Sequence, residues 1–213
     1  MERPAAGSIV PGAGVWLGFR HDSESKWSTM TRYVALLRGI NVNGITIAMT
    51  DLAATFHDLG YTDVKTVLAS GNVIFSIDSP LVDKADAAAL KTRIEAALTA
   101  RFEYEAWIVL VDAESLDRIV RAYSFDAGRD GWHSYVMFSS DPGHLSELAG
   151  HAKELDAADE RIELGHGVLY WEVRKSVGIK SAFSKKSAKL KYRDTTTTRN
   201  LNTLHKLLEV TPG

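Results

Sequence analysis

The chain has no cysteine and only 5 prolines among its 213 residues. Without cysteine there is no disulfide frame, thiol nucleophile or zinc–thiolate centre, so a cytoplasmic location is the expectation. Long apolar runs are missing too. The longest are strand-length pieces such as Trp107 to Val111, against the roughly 20 residues of a membrane-crossing helix, which argues against a membrane partner. Catalytic signatures are equally scarce. There is no GxSxG around Ser70, no Walker loop and no calcium loop, and the seven histidines form neither HExxH nor an i,i+4 pair. No metal or cofactor is expected, and no catalytic residue can be named.

What is present is a segregation of charge. Residues 1–173 carry 15 Lys/Arg against 25 Asp/Glu, whereas residues 174–213 carry 10 Lys/Arg against only Asp194 and Glu209. A tail of this kind attracts phosphate or nucleic acid, or offsets the acidic body of its own chain.

Residues 1–29 show Gly/Pro punctuation and no sustained period, and Pro11, Gly12 and Gly14 interrupt the only stretch that a secretory signal would use. We expect a flexible extension outside the fold, with Met30 as the natural start. From Tyr33 the pattern becomes regular. A buried-looking strand (33–37) leads through an eleven-residue connection to a helix with Leu52, Phe56 and Leu59 on one face, stopped by Gly60. Two strands (64–69 and 73–77) flank the turn residues Ser70-Gly71-Asn72, and a helix (85–102) and a strand (104–111) follow.

The order βαββαβ predicts an α+β ferredoxin-like plait over residues 30–111. Residues 112–213 read as a second, looser α/β unit, whose element order also permits a plait, ending in basic helices.

In such a plait the first and second strands are parallel, so the segments that leave them share one end of the sheet. This brings "RGINVNG" and "SGN" together. Arg38, Asn41, Asn43, Ser70 and Asn72 thereby become candidate ligand-binding residues, since Asn offers both donors and an acceptor and glycine admits close backbone approach. Turn chemistry alone also accounts for Asn43-Gly44 and Gly71-Asn72. At the other end of the chain, Leu201, Leu204, Leu207 and Leu208 mark a helix face. The run "TTTTRN" before it is then expected to cap that helix through Thr197 or Thr198, with Arg199 forking onto two oxygens of an anion beside Thr198 and Asn200.

The blocks Arg38 to Val42 (RGINV), Ser70 to Val73 (SGNV) and Thr197 to Thr203 (TxRNxxT) resemble those of the bacterial family catalogued as domain of unknown function 1697. The resemblance spans nearly everything after Met30 and implies ferredoxin-like α/β units; it implies no activity. Two departures stand out: Asn43 where a glycine is common, and Leu201 where a tryptophan often follows Arg-Asn. The function expected on these grounds is binding of a small anionic, phosphate-bearing ligand. The alternatives are nucleic-acid binding through the basic segment, with Tyr170 or Trp171 as a stacking platform, and an enzyme acting on a phosphorylated metabolite at the same residues.

Overall fold

The computed structural model describes residues 30–40, 46–78 and 84–210. The expected extension 1–29 lies outside the described residues, as do Asn41, Asn43 and Gly44. Strands β1 (Thr31–Leu37), β2 (Thr62–Thr66), β3 (Asn72–Ile77) and β4 (Ile108–Asp112) form a sheet of order β2-β3-β1-β4. All its neighbours are antiparallel. Helices α1 (Met49–Asp58) and α2 (Lys84–Phe102) supply the two crossovers, which gives the ferredoxin-like plait.

The second half of the chain repeats this plan. Strands β5 (Trp132–Ser139), β6 (Glu160–Leu164), β7 (Val168–Arg174) and β8 (Thr196–Asn200) pair in the order β6-β7-β5-β8. Helix α4 (Pro142–Ala149) makes one crossover, and the short α5 (Ala182–Ser187) and α6 (Leu190–Arg193) make the other. Each fourth strand runs straight into a helix, β4 into α3 (Ala113–Arg121) and β8 into α7 (Leu201–Val210).

The repetition extends to register. Val34 lies opposite Val111 and Tyr33 opposite Asp112; Val136 lies opposite Arg199 and Tyr135 opposite Asn200. On the other side, Leu36 faces Asn72 and Phe138 faces Val168. Val111 therefore occupies the place of Arg199, Val109 that of Thr197, and Gly167 that of Gly71. Both helices are capped from the matching position: Asp112 accepts from the Ser115 amide at 2.8 Å and Asn200 from the Asn202 amide at 2.9 Å. Even the amide after each first strand finds the matching carbonyl, Arg38 to Trp107 and Ser140 to Thr195, both at 2.9 Å.

Alternation along β1 explains why its sequence is continuously apolar. Tyr33, Ala35 and Leu37 face α1 and α2, with Phe56, Phe75, Ile94 and Leu98, while Val34 and Leu36 point the opposite way. That opposite face meets Val136, Phe138, Val168 and Tyr170 of the second sheet, with α3 and α7 completing a central core. Outside the second sheet, Met137, Leu169, Trp171 and Val173 pack on Leu145, Leu148, Phe183 and Tyr192. Both sheets are thus covered on both faces, a pattern that makes strands read as apolar runs.

Three sequence expectations need correction. The threonine run is strand β8, not a helix start, and the cap falls to Asn200 rather than Thr197 or Thr198. The fourth strand begins at Ile108, not at Tyr104. Neither Tyr170 nor Trp171 presents a stacking platform, because their exposures are 3% and 7%. The sheet face that would hold bases in a single-strand binder is filled here by the central core.

Leu204 is fully buried where both sheets and both terminal helices meet. Leu204→Ala is expected to cost about 2–5 kcal/mol through lost burial and the residual cavity. Urea unfolding followed by tryptophan fluorescence and far-ultraviolet circular dichroism should show one coincident transition at lower midpoint. Separate transitions for the two probes would refute a shared core.

Candidate functional site

The end of β1 and the start of β3 adjoin one another, as the plait requires: the Leu37 amide donates to the Gly71 carbonyl at 2.8 Å. Gly71 has φ +72°, and a Cβ there would lie 2.7 Å from Ile40 Cδ1 and 2.9 Å from Leu37 Cβ. The turn therefore needs glycine on two counts, backbone conformation and space. We refer to this place as the first corner.

Arg199 enters the corner from β8, on the face of that strand shared with Thr197. Its Nε donates to Asn72 Oδ1 at 2.6 Å. One terminal nitrogen donates to Thr197 Oγ1 at 2.7 Å and to the Thr198 carbonyl at 3.0 Å. The other donates to the Leu37 carbonyl at 2.5 Å and the Gly71 carbonyl at 3.2 Å. A guanidinium has five N–H donors, and all five are used. Every acceptor is neutral. The side chain is 7% exposed, and burial lowers its pKa to about 10, which leaves it protonated at neutral pH.

Asn72, itself fully buried, is held in place by donating to the Val67 carbonyl at 2.8 Å and to Ser70 Oγ at 3.0 Å. Arg38 completes the join from the opposite direction, donating from Nη1 to the Thr196 carbonyl at 2.7 Å. The two arginines thus cross, each reaching from one sheet to backbone or side-chain oxygens of the other. Arg38 is half-buried, while Gly39 and Ser70 are exposed.

Of the residues singled out in the sequence, the structure brings Arg38, Ser70, Asn72 and Arg199 together. Thr198 and Asn200 alternate onto the other face of β8, where Asn200 hydrogen-bonds the Tyr135 side chain. Asn41 and Asn43 lie outside the described residues. The reading of the threonine run as a helix start hid the role of Thr197. A period of two, applied to "TTTTRN", would have put Thr197 beside Arg199. The carbonyls of Leu37, Gly71 and Thr196 leave no mark in side-chain identity.

The basic segment has its own internal partners. Lys186 donates to Glu154 at 2.6 Å, and Lys191 pairs with Glu147. Among the described residues no group of three or more His, Cys, Asp and Glu is placed to hold a metal ion, and no helix is long and apolar enough to cross a membrane.

The chain belongs to the family described as protein of unknown function DUF1697, whose model matches residues 30–170. Its fold is similar to that of a solved structure described as conserved bacterial protein SP0830 from Streptococcus pneumoniae. The TM-score is 0.68 at 24% identity, over 85% of this chain and 98% of the other. No curated protein matches the chain.

Because Arg199 donates five hydrogen bonds from a buried position, Arg199→Met is expected to cost at least about 3 kcal/mol, and Asn72→Ala about 2 kcal/mol. Arg199→Lys should recover little, because an ammonium cannot reproduce the planar fork. A double-mutant cycle by urea denaturation should give a coupling of about 0.5–3 kcal/mol between Arg199 and Asn72. Strict additivity would contradict the contact.

Proposed function

We propose that this DUF1697 member binds a small phosphate-bearing anion at the first corner. The observation that carries the reading is the uncompensated charge of Arg199, whose five donors end on neutral oxygens. Buried charges are ordinarily paired, because an unpaired one retains its field in a medium of low dielectric. At the same corner Gly39 and Ser70 are exposed, and Ser70 is linked to Arg199 through Asn72. In this reading Arg38 and Ser70 contact the ligand, and Asn41 and Asn43, which lie outside the described residues, are further candidate contacts. Arg199 is a positioning residue that holds Asn72 and the strand ends and biases the corner toward anions. Thr198 and Asn200, on the far face of β8, take no part.

The experiment is a calorimetric titration with inorganic phosphate and with a nucleoside monophosphate at fixed ionic strength. Saturable binding is expected, weakened about tenfold by Arg38→Gln, the loss of one charge-assisted contact worth roughly 1.4 kcal/mol. The melting temperature of the variant separates lost contact from lost fold. Absence of saturation, or equal affinity in a folded Arg38→Gln protein, would sink the proposal.

A further inference from the structure

The duplicated architecture contains a second corner, where the end of β5 meets the turn between β6 and β7. By register, Ser139 stands for Leu37, Gly167 for Gly71 and Val168 for Asn72. The fourth strand again passes alongside, but Val111 occupies the position from which Arg199 fills the first corner. A valine is far shorter than an arginine. At that place there is a cavity of about 230 Å³, bounded by Val109, Val111, Phe138, Ser139, His166 and Gly167, with Asp112 and Ser115 at the start of α3.

The glycines of the two corners also differ in surroundings, through Ile40 and Leu37, which crowd the first. Their φ angles are +72° at Gly71 and +73° at Gly167, so the two glycines share a left-handed backbone conformation although the turns differ in length. A Cβ on Gly71 would strike the packed wall of the first corner, whereas a Cβ on Gly167 would meet nothing within 4 Å. The glycine position is closed in one copy and open in the other.

From this equivalence we infer that the second cavity is a guanidinium-binding site, in which a ligand from outside takes the place that Arg199 fills from inside in the first corner. The carbonyls of Ser139, Gly167 and Leu110 correspond to those of Leu37, Gly71 and Thr198, which accept from Arg199. Planar fork geometry suits such a set of oxygens, and an ammonium does not reproduce it. The two side-chain acceptors of the first corner, Asn72 and Thr197, have apolar counterparts in Val168 and Val109. Asp112, one oxygen of which caps α3, supplies a carboxylate to the cavity lining; its register counterpart Asn200 lies outside the first corner, on the far face of β8. The positive end of α3 opposes a cation, as that of α7 does beside Arg199, and the carboxylate of Asp112 offsets it. A volume of 230 Å³ lies below the roughly 300–1,000 Å³ of sites for drug-sized ligands, and suits a single side chain or a small guanidinium compound.

The test follows amide shifts of Val111, Ser139 and Gly167 by NMR during titration of the full chain with ethylguanidinium, with an arginine-centred tripeptide, and with n-butylammonium. The expected result is saturation by the guanidinium probes and affinity for the ammonium lower by about tenfold. Asp112→Asn keeps a side chain able to cap α3, as Asn200 caps α7, and should weaken guanidinium binding at least about fivefold. Val111→Arg should abolish it by supplying the guanidinium from within. Tighter binding of the tripeptide identifies a protein side chain as the source, and equal binding identifies a free small molecule. No saturation, ammonium binding of equal strength, or an unchanged affinity in Asp112→Asn would overturn the inference. None of these results bears on phosphate at the first corner, where Arg38→Gln is the diagnostic variant.

Discussion

A guanidinium that leaves water must have all five of its N–H groups met by acceptors, or folding loses the free energy of each unmet one. Arg199 meets that condition by drawing on both sheets at once: the last carbonyl of β1, the turn before β3, the buried amide of Asn72, and its own strand. The requirement is geometric as well as energetic. A planar fork accepts these oxygens only in a narrow range of positions, so it determines where β8 lies against the ends of β1 and β3. The central apolar core, which is non-directional, then fills behind that join.

The two halves of the chain share strand order, register, helix caps and the left-handed glycine of the hairpin turn. They differ at the residues that matter for chemistry. One corner is occupied by its own arginine and carries positive charge; the other has valine there and a carboxylate at its mouth. The duplicated scaffold thus carries different side chains at equivalent places, which is how a single fold plan can hold distinct chemistry. Leu201 illustrates the converse. It is 3% exposed in the central core, so the position that commonly carries tryptophan in the resembling sequences is a packing position here, not a stacking face.

The charge segregation read from composition has a partial physical account. Lys186 and Lys191 bridge from the basic segment to Glu154 and Glu147 of the second unit, and the Lys186 contact holds the Glu154 carboxyl down to about 2. Surface pairs of this kind contribute little to stability, and their effect is to return the basic segment to the acidic body. Elsewhere Arg129 and Arg161 both converge on the fully buried Glu172, a placement that local sequence does not announce.

The plait of residues 31–112 was legible because helices and strands repeat at different periods, and because βαββαβ admits few topologies. The meeting of the end of β1 with the Ser70–Asn72 turn followed from the same argument. Strand β8 was misread because threonine caps helices as readily as it lines strands, and only pairing with β5 distinguishes the two. By itself, then, the sequence determined the elements with strong periodicity, the juxtaposition of the end of β1 with the turn before β3, and the family. Tertiary structure alone decided that Arg199 is spent on internal oxygens, that Thr198 and Asn200 face away, and that the second corner stands open. The physical reason is that these outcomes depend on backbone carbonyls and on which face of a strand is covered, and neither is written in the identity of any side chain.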